Sequence, residues 1–264
     1  MKQLLITIAA LVLFGCGASV PNITIHKAAE KGDIYVVKQH LKAGTDVNLK
    51  NWQGKTPLDF SAARYVHTSK INQFLRERGG IYSSIHMAVQ GDDIQAVKKF
   101  LDDGVDVNLK GDGQWTPLYY TRSKEVAELL ISKGANVHAK SVVGDLPLDW
   151  IYASEARNTI RKNGGKYSSF AKACYSPDLE AVKEFLNSGA DVINVYREDG
   201  RTILDNLNDQ IYMLERGVQS MKKLGTPFTA YEEEVVRLDS YRRMTDFLRK
   251  HGAKTGEELK AEGK

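Results

Sequence analysis

Apolar residues recur at helical spacing along most of this chain, in short segments that come in pairs. The first pair is joined by the tight turn Lys31-Gly32-Asp33, and its apolar faces consist of Ile25, Ala28 and Ala29 and then Val36, Val37 and Leu41. Spacings of three and four residues place such side chains on one face of a helix. Equivalent apolar positions occur at 25, 58, 85, 118, 148, 170 and 204. The pattern predicts about seven helix pairs whose inner faces build one continuous core.

A repeated motif joins one pair to the next. The stretch from Gly44 to Asp59 contains Gly-Thr-Asp-Val-Asn and Thr-Pro-Leu-Asp. Echoes of it occur at 104–118, 134–149 and 189–205. Glycine adopts the left-handed conformation that ends a helix without strain. Thr56 can then cap the next helix, Pro57 fits its first position, and Asp59 lies at the third.

The Thr-Pro-Leu starts and the Gly-x-Asp-Val-Asn ends together resemble those of ankyrin-repeat proteins, over roughly residues 25–254. The resemblance implies an all-α ankyrin-repeat solenoid, which binds other proteins through hairpin tips and the concave face of its first helices. It also implies that His26 and His86, at the family's histidine position, bond locally and brace neighbouring repeats.

The repeat occurs in two forms, one with a long hairpin and one with a short hairpin, which alternate along the chain. The second and fifth repeats lack the Asp-Val-Asn stretch and end in Gly79-Gly80 and Gly164-Gly165, and Tyr-Ser-Ser follows soon after each. We therefore expect a two-repeat unit in which a long hairpin, here called a finger, is followed by a short one. The fifth repeat is the most abbreviated, so its helices should be short.

The seventh repeat contains an insertion at about 208–240. Two amphipathic stripes lie in or beside it, made of Ile211, Leu214, Val218, Met221 and Leu224 and then Tyr231, Val235, Leu238, Tyr241, Met244 and Phe247. They predict a long helical hairpin, which either caps the open end of the solenoid or forms a groove for a partner. The ankyrin-repeat domain is thus expected to span 23–254, and the polar tail 255–264 is expected to fray.

The first residues differ from the rest. Lys2 and the apolar run Leu4–Phe14 are typical of a signal peptide over 1–15, and the run is too short for a permanent membrane span. The sequence ending in Cys16 resembles the bacterial lipobox, whose cysteine is lipidated, with 16–22 as a linker. A plain secretory signal and a buried first strand are the alternatives. Gly17 is not the aspartate that in lipoproteins favours the inner membrane, which implies the periplasmic face of the outer membrane.

The composition and motifs argue against several functions. The chain has 37 basic and 33 acidic residues, a net charge of +4 that is too balanced to indicate nucleic-acid binding. Its six histidines lack metal-ligand spacing, and Lys110-Gly-Asp-Gly113 lacks the Gly-Lys-Ser/Thr of a phosphate loop. Cys174 is expected to be a small core residue. We expect no enzymatic activity, no cofactor or metal, and no small-molecule substrate.

The finger tips are the candidate site. Tryptophan, tyrosine and arginine are enriched at binding hot spots. The tips contain Asn51, Trp52, Gln53, Asp112, Gln114, Trp115, Val142, Val143, Tyr196 and Arg197. The hypothesis is a non-catalytic, lipid-anchored module of the bacterial cell envelope that binds an unidentified protein, with an inhibitor or immunity protein as its more specific version. The alternatives are a structural or stress-related envelope lipoprotein without a single partner, and an enzyme with a site in the 208–240 insertion.

Overall fold

The computed structural model describes residues 20–62, 69–189, 194, 200–228 and 231–263. The α-helices are α1 Ile25–Lys31, α2 Ile34–Lys42, α3 Pro57–Ala62, α4 Ser69–Glu77, α5 Ile85–Gln90, α6 Ile94–Asp102, α7 Lys124–Ser132, α8 Ser154–Lys162, α9 Phe170–Tyr175, α10 Leu179–Asn187, α11 Ile203–Lys223, α12 Glu232–Lys250 and α13 Gly256–Ala261. Short 3-10 turns cover Asp112–Gln114, Pro117–Tyr120 and Pro147–Trp150. The expected all-α fold of repeated helix pairs is confirmed.

Side-chain caps begin the helices of the regular pairs. Thr24 accepts a hydrogen bond from the third residue of α1, and Asp33 does the same for α2. Later pairs use the same chemistry, with caps at Ser84, Asp93, Ser169 and Asp178. These oxygens satisfy N–H groups that a first helical turn leaves without partners. Helix starts are therefore fixed locally, by one polar side chain each.

The predicted core positions are buried in every repeat. Their exposed fractions lie between 0% and 5%, for Ile25, Leu58, Ile85, Leu118, Leu148, Phe170 and Leu204. Burying a Leu or Ile side chain stabilises a fold by roughly 1.5–3 kcal/mol, so these positions are a major part of the core. The repeat register read from the sequence is confirmed.

The fourth and fifth repeats have shortened first helices. In the fifth repeat, where both helices were expected to be short, the first is only the 3-10 turn Pro147–Trp150. The second, α8, has the same nine residues as the second helix of the first repeat, so that part of the expectation is wrong. The fourth repeat was expected to start an ordinary helix at Pro117, and it too forms only a 3-10 turn, Pro117–Tyr120. The reason lies downstream, because Ser123 already caps α7 by accepting from Val126 N, which leaves too little chain for a longer helix.

By its contacts the chain divides into two compact units. Among the described residues, the first contains those up to 136 together with 153–159, and the second contains 137–152 and those from 160 onward. In the first unit α1 packs on α2 and α3, and α5 packs on α3 and α6. In the second unit α9 packs on α10 and α11, and α11 packs on α12.

The insertion in the last repeat forms the expected helical hairpin. Helix α11 runs for 21 residues from the repeat's own start at Thr202, and α12 runs for 19 residues back along it. Leu238, Tyr241 and Met244 of the second stripe are buried, whereas Leu224, at the end of the first stripe, is 80% exposed. The hairpin is thus an extension of the repeat's own two helices.

The expectation that the tail 255–264 frays is wrong. Thr255 caps α13 in a capping box with Glu258, and Leu259 is buried with an exposed fraction of 3%. The backbone N–H of Gly256 also donates to Asp205 Oδ2 at 2.9 Å. The polar composition of the tail did not indicate that Leu259 is buried or that Gly256 bonds to Asp205.

Within the part of the chain that the structure describes, no helix is both long and apolar enough to cross a bilayer. The signal peptide expected at 1–15 and the lipidation site Cys16 lie outside the described residues. Cys174 is buried, as expected of a small core residue, and burial raises the pKa of its thiol.

Candidate partner-binding surface

The tip of the first finger, residues 44–56, is a tight turn held by Asn51. Its Oδ1 atom accepts from the backbone N–H groups of Gln53 at 2.9 Å and Lys55 at 3.0 Å. Backbone bonds between Asn51 and Lys55 and between Gly54 and Asn51 close the turn. Trp52 projects from it with 90% of its surface exposed. Asn51 therefore shapes the tip, and Trp52 is the group that it presents.

The second finger, residues 104–116, presents its tryptophan differently. A 3-10 turn at Asp112–Gln114 exposes Asp112 and Gln114, but Trp115 is only partly exposed. Its ring stacks on Tyr119 at a centroid distance of 5.2 Å and also approaches Tyr120 at 5.6 Å. Trp115 thus packs on the 3-10 turn of its own repeat, and its role in partner contact stays a prediction.

The third finger, residues 134–146, ends in an apolar tip. Ser141 and Asp145 close the turn, with Ser141 N donating to the carbonyl of Asp145 at 2.9 Å. Val142 and Val143 at this tip are 68% and 80% exposed. β-Branched residues at the end of a polar turn are not required by the fold, so they remain candidates for contact.

The fourth finger lies largely outside the described residues. Tyr196 and Arg197, which were expected at its tip, fall in that part, and so they stay predictions. Asn194 in the same finger is described, and it bonds Gly252 O at 3.0 Å and the N–H of Lys254 at 2.8 Å.

Two buried histidines hold the bases of the first two fingers. The Nε2 atom of His26 lies 2.7 Å from Leu49 O and 3.1 Å from Lys55 O, so its N–H joins both sides of the first finger. His86 makes the matching bonds to the second finger, at 2.9 and 3.2 Å. Burial lowers the pKa of His86, and its two carbonyl acceptors offset only part of that effect. The bracing role implied by the family resemblance fits this geometry.

A row of asparagines, which the sequence analysis missed, ties fingers to the repeats that follow. Asn48 donates to Gly79 O at 2.9 Å and accepts from Ile81 N at 2.8 Å. Asn108 makes the same pair of bonds with Gly134 O and Asn136 N. The signal was present, since both residues end an Asp-Val-Asn triplet. The first two fingers are therefore fixed at their bases as well as at their tips.

The first helices of the repeats carry a second set of large side chains. Phe60, Met87 and Tyr120 are half-buried in the first unit, each two residues after a buried core position. His26 contacts Phe60 edge-on at 5.4 Å, and His86 contacts Tyr120 in the same way at 5.8 Å. Burial and the charge of Asp112 raise the pKa of Tyr120. The sequence analysis treated these positions as part of the repeat rather than as contact candidates.

The second unit contains one comparable aromatic group. The indole N–H of Trp150 donates to Asp145 Oδ2 at 2.9 Å, and the ammonium of Lys172 lies over the indole ring at 4.8 Å. Lys172 also pairs with Asp145 at 3.3 Å. The polar and charged groups of these three side chains bond to one another, so we interpret them as stabilising the fifth repeat and not as a ligand site.

The charged side chains beside the start of α11 are engaged in structural bonds. A shallow polar hollow beside the start of α11 is lined by residues that include Arg201, Asp205, Asp209 and Lys260. Arg201 pairs with Asp209 at 2.5 Å. Burial alone would raise the pKa of Asp205, but hydrogen bonds from Thr202 and Gly256, with Arg201 nearby, lower it. Among the described residues no group of His, Cys, Asp and Glu side chains is arranged to hold a metal ion.

Comparison with known proteins places this geometry in context. No protein-family model matches the sequence. The chain is 32% identical to human protein phosphatase 1 regulatory subunit 27 over 91 residues, which is 33% of this chain and 58% of that protein. It is 26% identical to human transient receptor potential cation channel subfamily A member 1 over 194 residues, 65% of this chain and 15% of the channel.

A putative ankyrin repeat protein of fowlpox virus is 31% identical over 144 residues, which cover 53% of this chain and 20% of the viral protein. The matches thus span at most about three fifths of these relatives' own length. Together with the repeated helix pairs, the braced fingers and the buried core positions, they make this chain similar to ankyrin-repeat proteins, with an all-α helical-repeat fold.

Proposed function

We propose that this chain is a non-catalytic protein-binding module held at a bacterial cell envelope by lipid on Cys16. The observation that carries the binding part is Trp52, which is 90% exposed on a turn held by Asn51. A large apolar group gains free energy when a partner removes it from water. Because its turn is already ordered, little conformational entropy is lost on binding.

The other fingers and the relatives support a binding role. Val142 and Val143 place exposed apolar groups on the third finger. One relative is named a regulatory subunit of a phosphatase, and another an ankyrin repeat protein. An inhibitor or immunity-type binder is the more specific version, because an ordered tip such as that of the first finger suits the covering of a folded partner. Its test is whether the partner captured through Trp52 loses activity when this chain is added.

The envelope location rests on the sequence of the first residues. Lys2, the apolar run Leu4–Phe14 and Cys16 support a lipoprotein signal, and Gly17 supports the outer membrane. Replacing Cys16 with Ser should release the protein from the membrane fraction. Retention of the Cys16→Ser variant in that fraction would argue for a different attachment.

A second candidate binding region lies on the helical insertion. Tyr212 and Met213 of α11 and Val236 of α12 are 56%, 64% and 57% exposed. Exposed apolar side chains gain free energy when a partner removes them from water. Their presence on both helices of the hairpin supports the partner-groove alternative for the insertion.

One experiment separates these regions. Crosslinked pull-downs from intact cells would compare the wild type with Trp52→Ala and with a Tyr212→Ala, Met213→Ala double variant at equal abundance. Tyr152→Ala is the matched control, since Tyr152 is 61% exposed and lies on neither region. We expect a dominant partner that is lost in Trp52→Ala. Loss in the double variant alone would move the site to the insertion, and no partner in any sample would favour the structural lipoprotein.

A further inference from the structure

The positive charge of this chain is concentrated at its beginning. Residues 1–79 contain 11 Lys and Arg against 5 Asp and Glu, a net charge of +6, and the net charge is still +5 without Lys2, which belongs to the expected signal peptide. Since the whole chain has 37 basic and 33 acidic residues, residues 80–264 carry 26 and 28, a net charge of −2. The modest overall charge therefore conceals a basic region in the first two repeats.

Helices α2 and α4 bring part of this charge together. Lys38 and Lys42 are one helical turn apart on α2, and both are exposed. The ammonium of Lys38 lies 5.3 Å from the centre of the Phe74 ring on α4. The guanidinium of Arg78 lies 4.8 Å from the same ring. The Phe74 ring thus contacts one cation from the first repeat and one from the second, which lie on the same side of these repeats.

The same face includes further groups suited to an interface between lipid and water. Tyr35 is 71% exposed and lies three residues before Lys38, on the same side of α2. Lys70, four residues before Phe74, is also exposed. Glu77 is the exposed acid of α4 beside Arg78. Tyrosine and the long stems of lysine and arginine favour the headgroup region of a bilayer.

We propose that this basic face, formed by Tyr35, Lys38, Lys42, Phe74 and Arg78, lies against anionic lipid headgroups. The inference rests on the proposed membrane attachment, because a lipid on Cys16 would hold the first repeat within about 20 Å of the bilayer through six extended linker residues. A polybasic surface that close to an anionic membrane is attracted to it over roughly a Debye length. The face orients the first two repeats and leaves Trp52, on the first finger, for a protein partner.

The test uses the full chain reconstituted into vesicles of phosphatidylcholine alone or of equimolar phosphatidylcholine and phosphatidylglycerol. Flotation reports attachment, and the rate of lysine acylation, followed by mass spectrometry, reports contact. Lys98 is the matched control, because it is exposed and follows Val97 as Lys38 follows Val37. We expect Lys38 to react about fivefold more slowly on the anionic vesicles than on the neutral ones, because attraction of one basic group to an anionic surface corresponds to a factor of about five. Lys98 should react at the same rate on both.

The outcomes distinguish a failure of the basic face from a failure of the lipid anchor. Flotation on both vesicles with equal reactivity of Lys38 would overturn the face and leave the anchor intact. Flotation on the anionic vesicles alone would support the basic face and argue against the lipid anchor. In that case the triple variant Lys38→Glu, Lys42→Glu, Arg78→Glu should no longer float, and the double variant Lys98→Glu, Lys99→Glu should still float. Flotation on neither would overturn both. A thermal unfolding curve for each variant shows that it is folded.

Discussion

The Oδ1 atom of Asp149 accepts a hydrogen bond from the backbone N–H of Ser168 at 2.9 Å. Asp59 makes the same bond with Ser83 at 3.0 Å. In both repeats the second carboxylate oxygen accepts from the N–H three residues before the aspartate. One buried carboxylate therefore closes the first turn of its own repeat and fixes the segment that leads into the next. The coupling between neighbouring repeats depends on such shared side chains as well as on apolar contact.

Replacing Asp59 with Ala should destabilise the fold by about 3 kcal/mol. The side chain is 1% exposed, and its loss would leave the N–H groups of Thr56 and Ser83 without this acceptor. A buried polar group left without a partner costs roughly 1–3 kcal/mol. Urea unfolding of the purified chain would measure the change. Asp102→Ala, at an exposed position, is the control, and an equal effect of the two changes would contradict the coupling.

Replacing Leu118 with Ala should cost roughly 2–5 kcal/mol. Leu118 is fully buried and occupies the core position of the fourth repeat. Because each repeat contacts mainly its neighbours, the damage should spread along the stack rather than remain local. Leu109→Ala, where the side chain is 43% exposed, should cost much less. A melting curve for Leu118→Ala that matches the wild type would contradict the repeat register.

These two cases show what the sequence could reveal. Core positions such as Leu118 follow from periodicity, because a helical repeat must bury one apolar face, and all seven were predicted. The Asn48 bonds and the role of Leu259 were not, since each joins residues that only the folded chain brings together. Among tip residues, the exposure of Trp52 was foreseen, but the stacking of Trp115 on Tyr119 depends on the 3-10 turn of the fourth repeat.

Acidification should weaken the fold partly through His86. Burial lowers the pKa of His86 below its ordinary value of 6.5. Between that value and the lower pKa of the folded state, the unfolded chain binds more protons, so the free energy of unfolding falls as pH falls. The contribution of His86 to the free energy of unfolding is therefore fully present above about pH 6.5 and decreases as the pH falls toward the folded-state pKa.

The measurement compares urea unfolding of the wild type and His86→Gln at about pH 7.5 and about pH 5, a range over which histidine titrates. Glutamine retains an N–H donor for the two carbonyls and removes the titration. We therefore expect a smaller loss of stability on acidification in the variant. An identical pH dependence in wild type and His86→Gln would contradict the assignment.

The C-terminal helix gives a prediction opposite to that of a fraying tail. Leu259 is 3% exposed, Thr202 Oγ1 donates to Lys254 O at 2.9 Å, and Asp205 accepts from Gly256 N. Leu259→Ala should therefore destabilise the chain by about 2 kcal/mol or more, as a buried leucine does. Leu224→Ala is the matched control, because the same side chain is 80% exposed there. Since a frayed residue loses nothing on truncation, equal unfolding midpoints for the two variants would show that α13 does not hold the last repeat. A lower midpoint for Leu259→Ala alone would establish α13 as part of the folded domain, which would then extend beyond residue 254.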